Sequence, residues 1–86
     1  MKHKKRPRVQ IILEILTLLK KGERSKTNIV YQANLNFPAA DRHLTHLVEK
    51  GLIVWSETTR LWNITPAGEQ CLATLARSLA AIEAVL

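Results

Sequence analysis

Residues 25–53 read SKTNIVYQANLNFPAADRHLTHLVEKGLI. Ser25 is a good helix N-cap, and Thr27-Asn28-Ile29-Val30-Tyr31-Gln32 continues a short helix behind it. Ala33-Asn34-Leu35-Asn36 reads as a turn. Leu35 is its apolar anchor, and Asn36 is placed to cap the next helix. That helix is expected from about Phe37 to Lys50, stopping at Gly51. Ala40, Leu44, Leu47 and Val48 fall at i, i+4, i+7 and i+8 and make its buried face. Arg42, Thr45, His46 and Glu49 point the other way, with His43 on the boundary.

On the N-terminal side, a first helix is expected from about Pro7 to Lys21, since proline suits a first helical turn and Gly22 a stop. Ile11, Ile12, Ile15, Leu16 and Leu19 form one stripe. Val9, Leu13 and Leu18 lie outside it, so the helix has more apolar surface than one face requires and is expected to be buried on two sides. On the C-terminal side, Leu52–Trp55 and Leu61–Ile64 are two short β-rich runs joined by Ser56-Glu57-Thr58-Thr59-Arg60, the length of a hairpin loop. Alternation puts Trp62 and Ile64 on one face, where Trp62 is read as core. Trp55 has three readings: it shields the base of the hairpin, touches a ligand, or joins a subunit contact. Thr65 and Pro66 open a last helix that runs to the end. In it Leu72, Leu75, Leu79, Ile82 and Leu86 are spaced 3, 4, 3, 4, a coiled-coil-like seam. Cys71, Leu72 and Leu75 are expected on the chain's own core, and the last two turns against a second subunit.

The expected fold is mainly α with a small β-hairpin. A short helix, a tight turn and a helix with a polar outer face make a helix-turn-helix, and the hairpin after it is a wing. Residues 1–8 are read as a basic mobile arm, 9–65 as the winged helix-turn-helix, and 66–86 as a dimerisation helix.

Composition bounds what such a chain does. Its 86 residues make one domain with a net charge of +6. Residues 1–26 hold nine Lys or Arg against two Glu, and residues 27–86 hold four against five acidic residues. A one-sided positive field attracts polyanions; the plainer reading is a solvated tail. The single cysteine, Cys71, excludes an intramolecular disulfide and a cysteine-based zinc site, and it is expected to be a small buried side chain. His43 and His46 have no third ligand at metal spacing, so no metal or other cofactor is expected. No catalytic constellation has usable spacing, so no enzyme activity and no small-molecule substrate are expected. Glu14, Thr17, Lys20 and Lys21 interrupt what would be a signal-peptide core, and no run spans a bilayer. The expected place is the cytoplasm, on the chromosome, with no membrane partner.

Three pieces carry a resemblance: Ser25 to Asn36; Leu44-x-x-Leu47 with Glu49-Lys50-Gly51-Leu52-Ile53; and Trp62-x-Ile64-Thr65-x-x-Gly68. Together they resemble the archaeal winged-helix DNA-binding proteins of about ten kilodaltons, over Val9 to Leu86. Those proteins are described as chromatin-associated or as predicted transcriptional regulators. The resemblance implies double-stranded DNA as partner and a dimer formed through an antiparallel coiled coil of the last helix.

The residues expected at DNA phosphates are Lys2, Lys4, Lys5, Arg6, Arg8, Lys20, Lys21, Arg24 and Lys26, with Arg60 on the wing. Thr27, Asn28 and Tyr31 add hydrogen-bonding groups, with covering the core edge as the plainer reading of Tyr31. Arg42, Thr45 and His46 are expected to face the groove, Arg42 being able to make a bidentate contact to guanine; a solvated helix face is the alternative. The outer face of this helix is nearly neutral, which fits weak sequence preference. The expected dimer residues are Val9, Leu13, Leu72, Leu75, Leu79, Ile82 and Leu86. A different class of function is a protein-interaction module within a larger complex.

Overall fold

A computed structural model describes residues 6–86. The order of elements is α1 (Arg8–Lys21), α2 (Lys26–Gln32), α3 (Phe37–Glu49), β1 (Ile53–Ser56), β2 (Leu61–Ile64) and α4 (Pro66–Val85). Pro7 caps α1, and its carbonyl accepts from Gln10 and Ile11. Ser25 caps α2 through its hydroxyl, which accepts from the Asn28 N–H at 3.1 Å. Asn36 does the same for α3, accepting from the Ala39 N–H at 2.8 Å.

The end of α3 explains where the wing begins. Gly51 takes a positive φ of 74°, so its N–H reaches Val48 and the Leu52 N–H reaches the Leu47 carbonyl at 3.0 Å. Leu52 is thereby spent on closing the helix, and β1 starts at Ile53, one residue later than the sequence suggests. β1 pairs with β2 antiparallel, Ile53 opposite Ile64 and Trp55 opposite Trp62. Arg24 adds a backbone bridge to Trp62, donating at 3.1 Å and accepting at 2.7 Å. The link between α1 and α2 thus lies along the hairpin's second strand.

Thr65 joins the wing to α4. Its hydroxyl accepts from the Gly68 N–H at 3.0 Å and donates to the Gly51 carbonyl at 2.7 Å. A side chain at position 68 is impossible without movement: a Cβ on Gly68 would sit 2.1 Å from the Leu52 carbonyl oxygen. This close approach is the physical content of the Thr65-x-x-Gly68 piece of the sequence.

Ile15, Leu16 and Leu19 of α1, Ile29 of α2, Leu44 and Leu47 of α3, and Ile53 of β1 form the core. Trp62, Ile64, Cys71, Leu72 and Leu75 are half-buried against it. No helix among the described residues is long and apolar enough to cross a membrane.

Two sequence expectations need correction, and a third is not met within one chain. Val48 is 42% exposed rather than buried. At about 100° per residue it lies some 70° from the mean direction of Ala40, Leu44 and Leu47, and faces an open groove towards the wing. Tyr31 covers nothing: Ile29, Val30 and Ala33 take the core side of α2 and leave it 75% exposed. The extra apolar side of α1 is not enclosed within the chain, with Val9 43% exposed and Leu13 and Leu18 only half-buried.

Candidate nucleic-acid interface

α3 presents Asp41, Arg42, Thr45 and Glu49 to solvent, with His46 half-buried beside them. The start of α1 borders one edge of this face. A shallow depression is lined by Arg8 of α1 together with Asp41, Arg42, Thr45, His46 and Glu49 of α3. An adjoining one is lined by Arg6, Arg8, Ile11, Arg42 and His43. Arg8 and Arg42 belong to both, so residues 34 apart in sequence form one cationic corner. His43 registers the crowding: burial holds its pKa below the ordinary 6.5, and Arg42, Arg8, His46 and Arg6 push it the same way.

Lys26 at the start of α2 pairs with Asp41 at 2.8 Å and lies 6.0 Å from the centre of the Phe37 ring. Both partners are largely exposed, so the pair adds little stability. Its consequence is electrostatic: the Lys26 charge offsets Asp41 on the outer side of α3. Thr45 also borders a groove towards the wing, whose walls include Val48, Trp55 and Trp62. Trp55 is half-buried and packs within the wing itself. Its ring lies 4.9 Å from that of Trp62, its partner across the two strands.

The other expected phosphate contacts are dispersed. Lys20 and Lys21 sit at the far end of α1, about 18 Å from Arg8 at 1.5 Å per residue. Lys20 lies 3.8 Å from Glu69 near the start of α4. Arg24 is turned inward, donating to the Leu18 carbonyl at 3.3 Å and to the Asn28 side chain at 3.0 Å. Asn28 is thereby half-buried and occupied, whereas Thr27 and Tyr31 are exposed. Arg60 stands exposed where the wing's loop meets β2, at a φ of 61°. Arg6 is held by Glu14 and by two backbone carbonyls. Lys2, Lys4 and Lys5 lie outside the described residues.

Two contributors escape a reading of the sequence. His43 lies on the boundary of the helical wheel, yet it stands inside the cationic corner. Glu14 reads only as an interruption of an apolar run, yet it is the partner of Arg6. Nothing in a helical wheel of α1 announces a contact made eight residues back, from a residue ahead of the helix.

The expected dimer residues form a gradient along α4. Leu72 and Leu75 pack on the chain's own core, and Leu79 is half-buried. Ile82 is 55% exposed, and Val85 and Leu86 are almost fully exposed. Val9 borders an apolar groove with Ile12, Cys71 and Leu75.

A family profile described as "Winged helix-turn-helix" matches residues 5–83. The uncharacterized protein MJ0287 of Methanocaldococcus jannaschii is 31% identical over 71 residues, covering 83% of this chain and 71% of its own. Among solved structures, Sso10a-2, a DNA-binding protein from Sulfolobus solfataricus, superposes with a TM-score of 0.78 at 22% identity, over 93% of this chain and 85% of its own. The transcriptional regulator BldR from the same organism gives 0.76 at 22% identity, covering 85% of this chain, which spans only 56% of BldR. The homodimeric winged helix-turn-helix DNA-binding domain of Mycobacterium bovis Mb0332, a possible ArsR-family transcriptional regulator, gives 0.64 at 30% identity, over 88% of this chain and 76% of its own. The expected likeness to archaeal winged-helix proteins is met by the Methanocaldococcus and Sulfolobus matches.

Proposed function

The chain belongs to the winged helix-turn-helix family, and from that premise we propose that it binds double-stranded DNA, with α3 entering the major groove. One observation carries the reading: Arg8, from the basic start of the chain, shares one depression with Arg6, Arg42 and His43 and a second with Arg42, Thr45 and His46 on the outer face of α3, where Asp41 and Glu49 also stand. A helix about 10–12 Å across fits the major groove, and cations beside it meet the flanking phosphates.

Backbone charge leads binding, and sequence preference is weak. Arg42 is the outer-face side chain of α3 able to fork onto guanine, and Asp41 and Glu49 flank it. Phosphates are taken by Arg8 and by Lys2, Lys4 and Lys5, with Lys26, Thr27 and Tyr31 on α2 and Arg60 on the wing as flanking contacts. Residues 9–65 form the DNA-binding unit, and the last turns of α4 serve a homodimer. What supports the dimer is the exposed apolar surface at Val9, Ile82, Val85 and Leu86. The role is DNA organisation or transcriptional regulation in the cytoplasm, and the chain acts as a binding module rather than an enzyme.

Titrating a mixed-sequence duplex at two salt concentrations tests this. Affinity is expected to fall steeply as salt rises, with a log–log slope of about −0.9 per phosphate contact. Affinity that does not fall with salt contradicts the proposal. It leaves the protein-interaction module, for which the apolar surface of α4 speaks.

A further inference from the structure

Glu14 is an acidic residue within the most basic part of the chain, and both of its carboxylate oxygens are occupied. Oε1 pairs with Nη1 of Arg6, and Oε2 accepts from Nε2 of Gln10 at 3.2 Å. The other arm of the Arg6 guanidinium, Nη2, donates to the Ala33 carbonyl at 2.7 Å and to the Asn34 carbonyl at 3.0 Å. Ala33 is the C-cap residue of α2, and Asn34, at a φ of 54°, is the left-handed residue of the turn into α3. One planar fork therefore ties together the start of the chain, the middle of α1 and the turn of the helix-turn-helix.

We propose that Arg6 and Glu14 are a positioning pair for duplex binding, so that Glu14, although acidic, strengthens the attraction to DNA. This rests on the DNA-binding reading above and deepens it. Arg6 itself is not a phosphate ligand: a phosphate oxygen would have to displace an ion pair and two carbonyl contacts that already fit the fork. What the pair does is fix where the backbone enters α1. Arg8 comes two residues later and stands beside Arg42. Lys4 and Lys5 precede Arg6 by two residues and one, and the chain spans at most about 3.6 Å per residue. Their reach is therefore measured from the same anchor. The two carbonyl bonds also brace the turn that sets the angle of α3.

Plain electrostatics predicts the opposite sign, because removing a negative charge from a DNA-binding protein raises its affinity. This difference makes the test decisive. The full chain carrying Glu14→Gln is titrated with a mixed-sequence duplex over a range of salt, with circular dichroism confirming that it is folded at the temperature used. Several-fold weaker binding and a flatter salt slope are expected, although no cation has been removed. Arg6→Lys keeps the charge, loses the fork, and is expected to weaken binding comparably. The double variant is expected to lose no more than either single one, since the two residues act as a unit.

Glu14→Gln binding as tightly as the wild-type chain, or more tightly, overturns the proposal. So does wild-type affinity in Arg6→Lys alongside a slope reduced by about 0.9 in Arg6→Ala, the mark of a direct phosphate contact. A wild-type chain without salt-dependent duplex binding overturns the DNA-binding reading and this inference together. An unaffected Glu14→Gln in a chain that binds overturns this inference alone.

Discussion

His43 stands where three guanidinium groups converge, and its titration reports on them. Its protonated form is opposed by burial first, then by Arg42, Arg8, His46 and Arg6. The folded-state pKa thus lies below the unfolded value of about 6.5. The unfolded chain therefore binds more protons in the window between the two. The stability that neutral His43 allows is fully present above about pH 6.5, and is lost as pH falls from there through the depressed folded value. Thermal melts between pH 7.5 and 5 should show Tm declining on the acid side, and His43→Gln should flatten that decline. Equal declines in both proteins would place the sensitive group elsewhere. Residues of this kind are hardly legible in sequence. His43 sits on a helix-wheel boundary, and beside its burial and the neighbouring Arg42, part of its environment comes from Arg8 and Arg6, more than thirty residues away. Arg6 shows the same limit: its sequence context reads as a solvated basic arm, whereas its fork is spent inside the molecule.

At the scale of elements the sequence is far more informative. Ser25, Asn36 and Thr65 announce three helix starts, and each side chain accepts the N–H expected of a cap. Gly51 announces one helix end, and takes the positive φ that such an end requires. These signals are local, so they survive without tertiary information. Val48 shows where locality fails: an apolar residue on the rim of a stripe is buried only if a neighbour arrives to cover it, and the wing leaves that side open. α4 poses the same question on a larger scale. Its first half is held by Leu72 and Leu75 against the core, while Ile82, Val85 and Leu86 have no such cover. We expect these last turns to pair with a second copy. Replacing Leu79 and Ile82 with Asp should yield monomers by light scattering, because two charges would enter the proposed seam unpaired. Dimers that persist would move the interface elsewhere, with the exposed side of α1 around Val9 as the next candidate.

At the scale of the whole molecule, the question is how the charge of the first 26 residues is distributed in space. The sequence suggests one basic block, but α1 divides it. Arg6 and Arg8 lie at the end of the helix beside α3, and Lys20 and Lys21 lie at the other end, where Lys20 meets Glu69. Arg24 is drawn inside to staple the end of α1 to the start of α2. The duplex platform we propose is consequently smaller than the linear charge count implies. On the proposed reading it is centred where the start of α1 borders α3, with the wing and the start of α2 at its edges. The most direct measurement compares salt-dependent duplex affinity in two double variants that remove equal charge. Arg8→Ala with Arg42→Ala is expected to weaken binding severalfold and to flatten the log–log slope by about 0.9, the one phosphate contact that Arg8 makes. Lys20→Ala with Lys21→Ala is expected to leave that slope nearly unchanged. The reverse pattern, or equal losses in the two variants, would contradict a platform built where the start of α1 meets the outer face of α3.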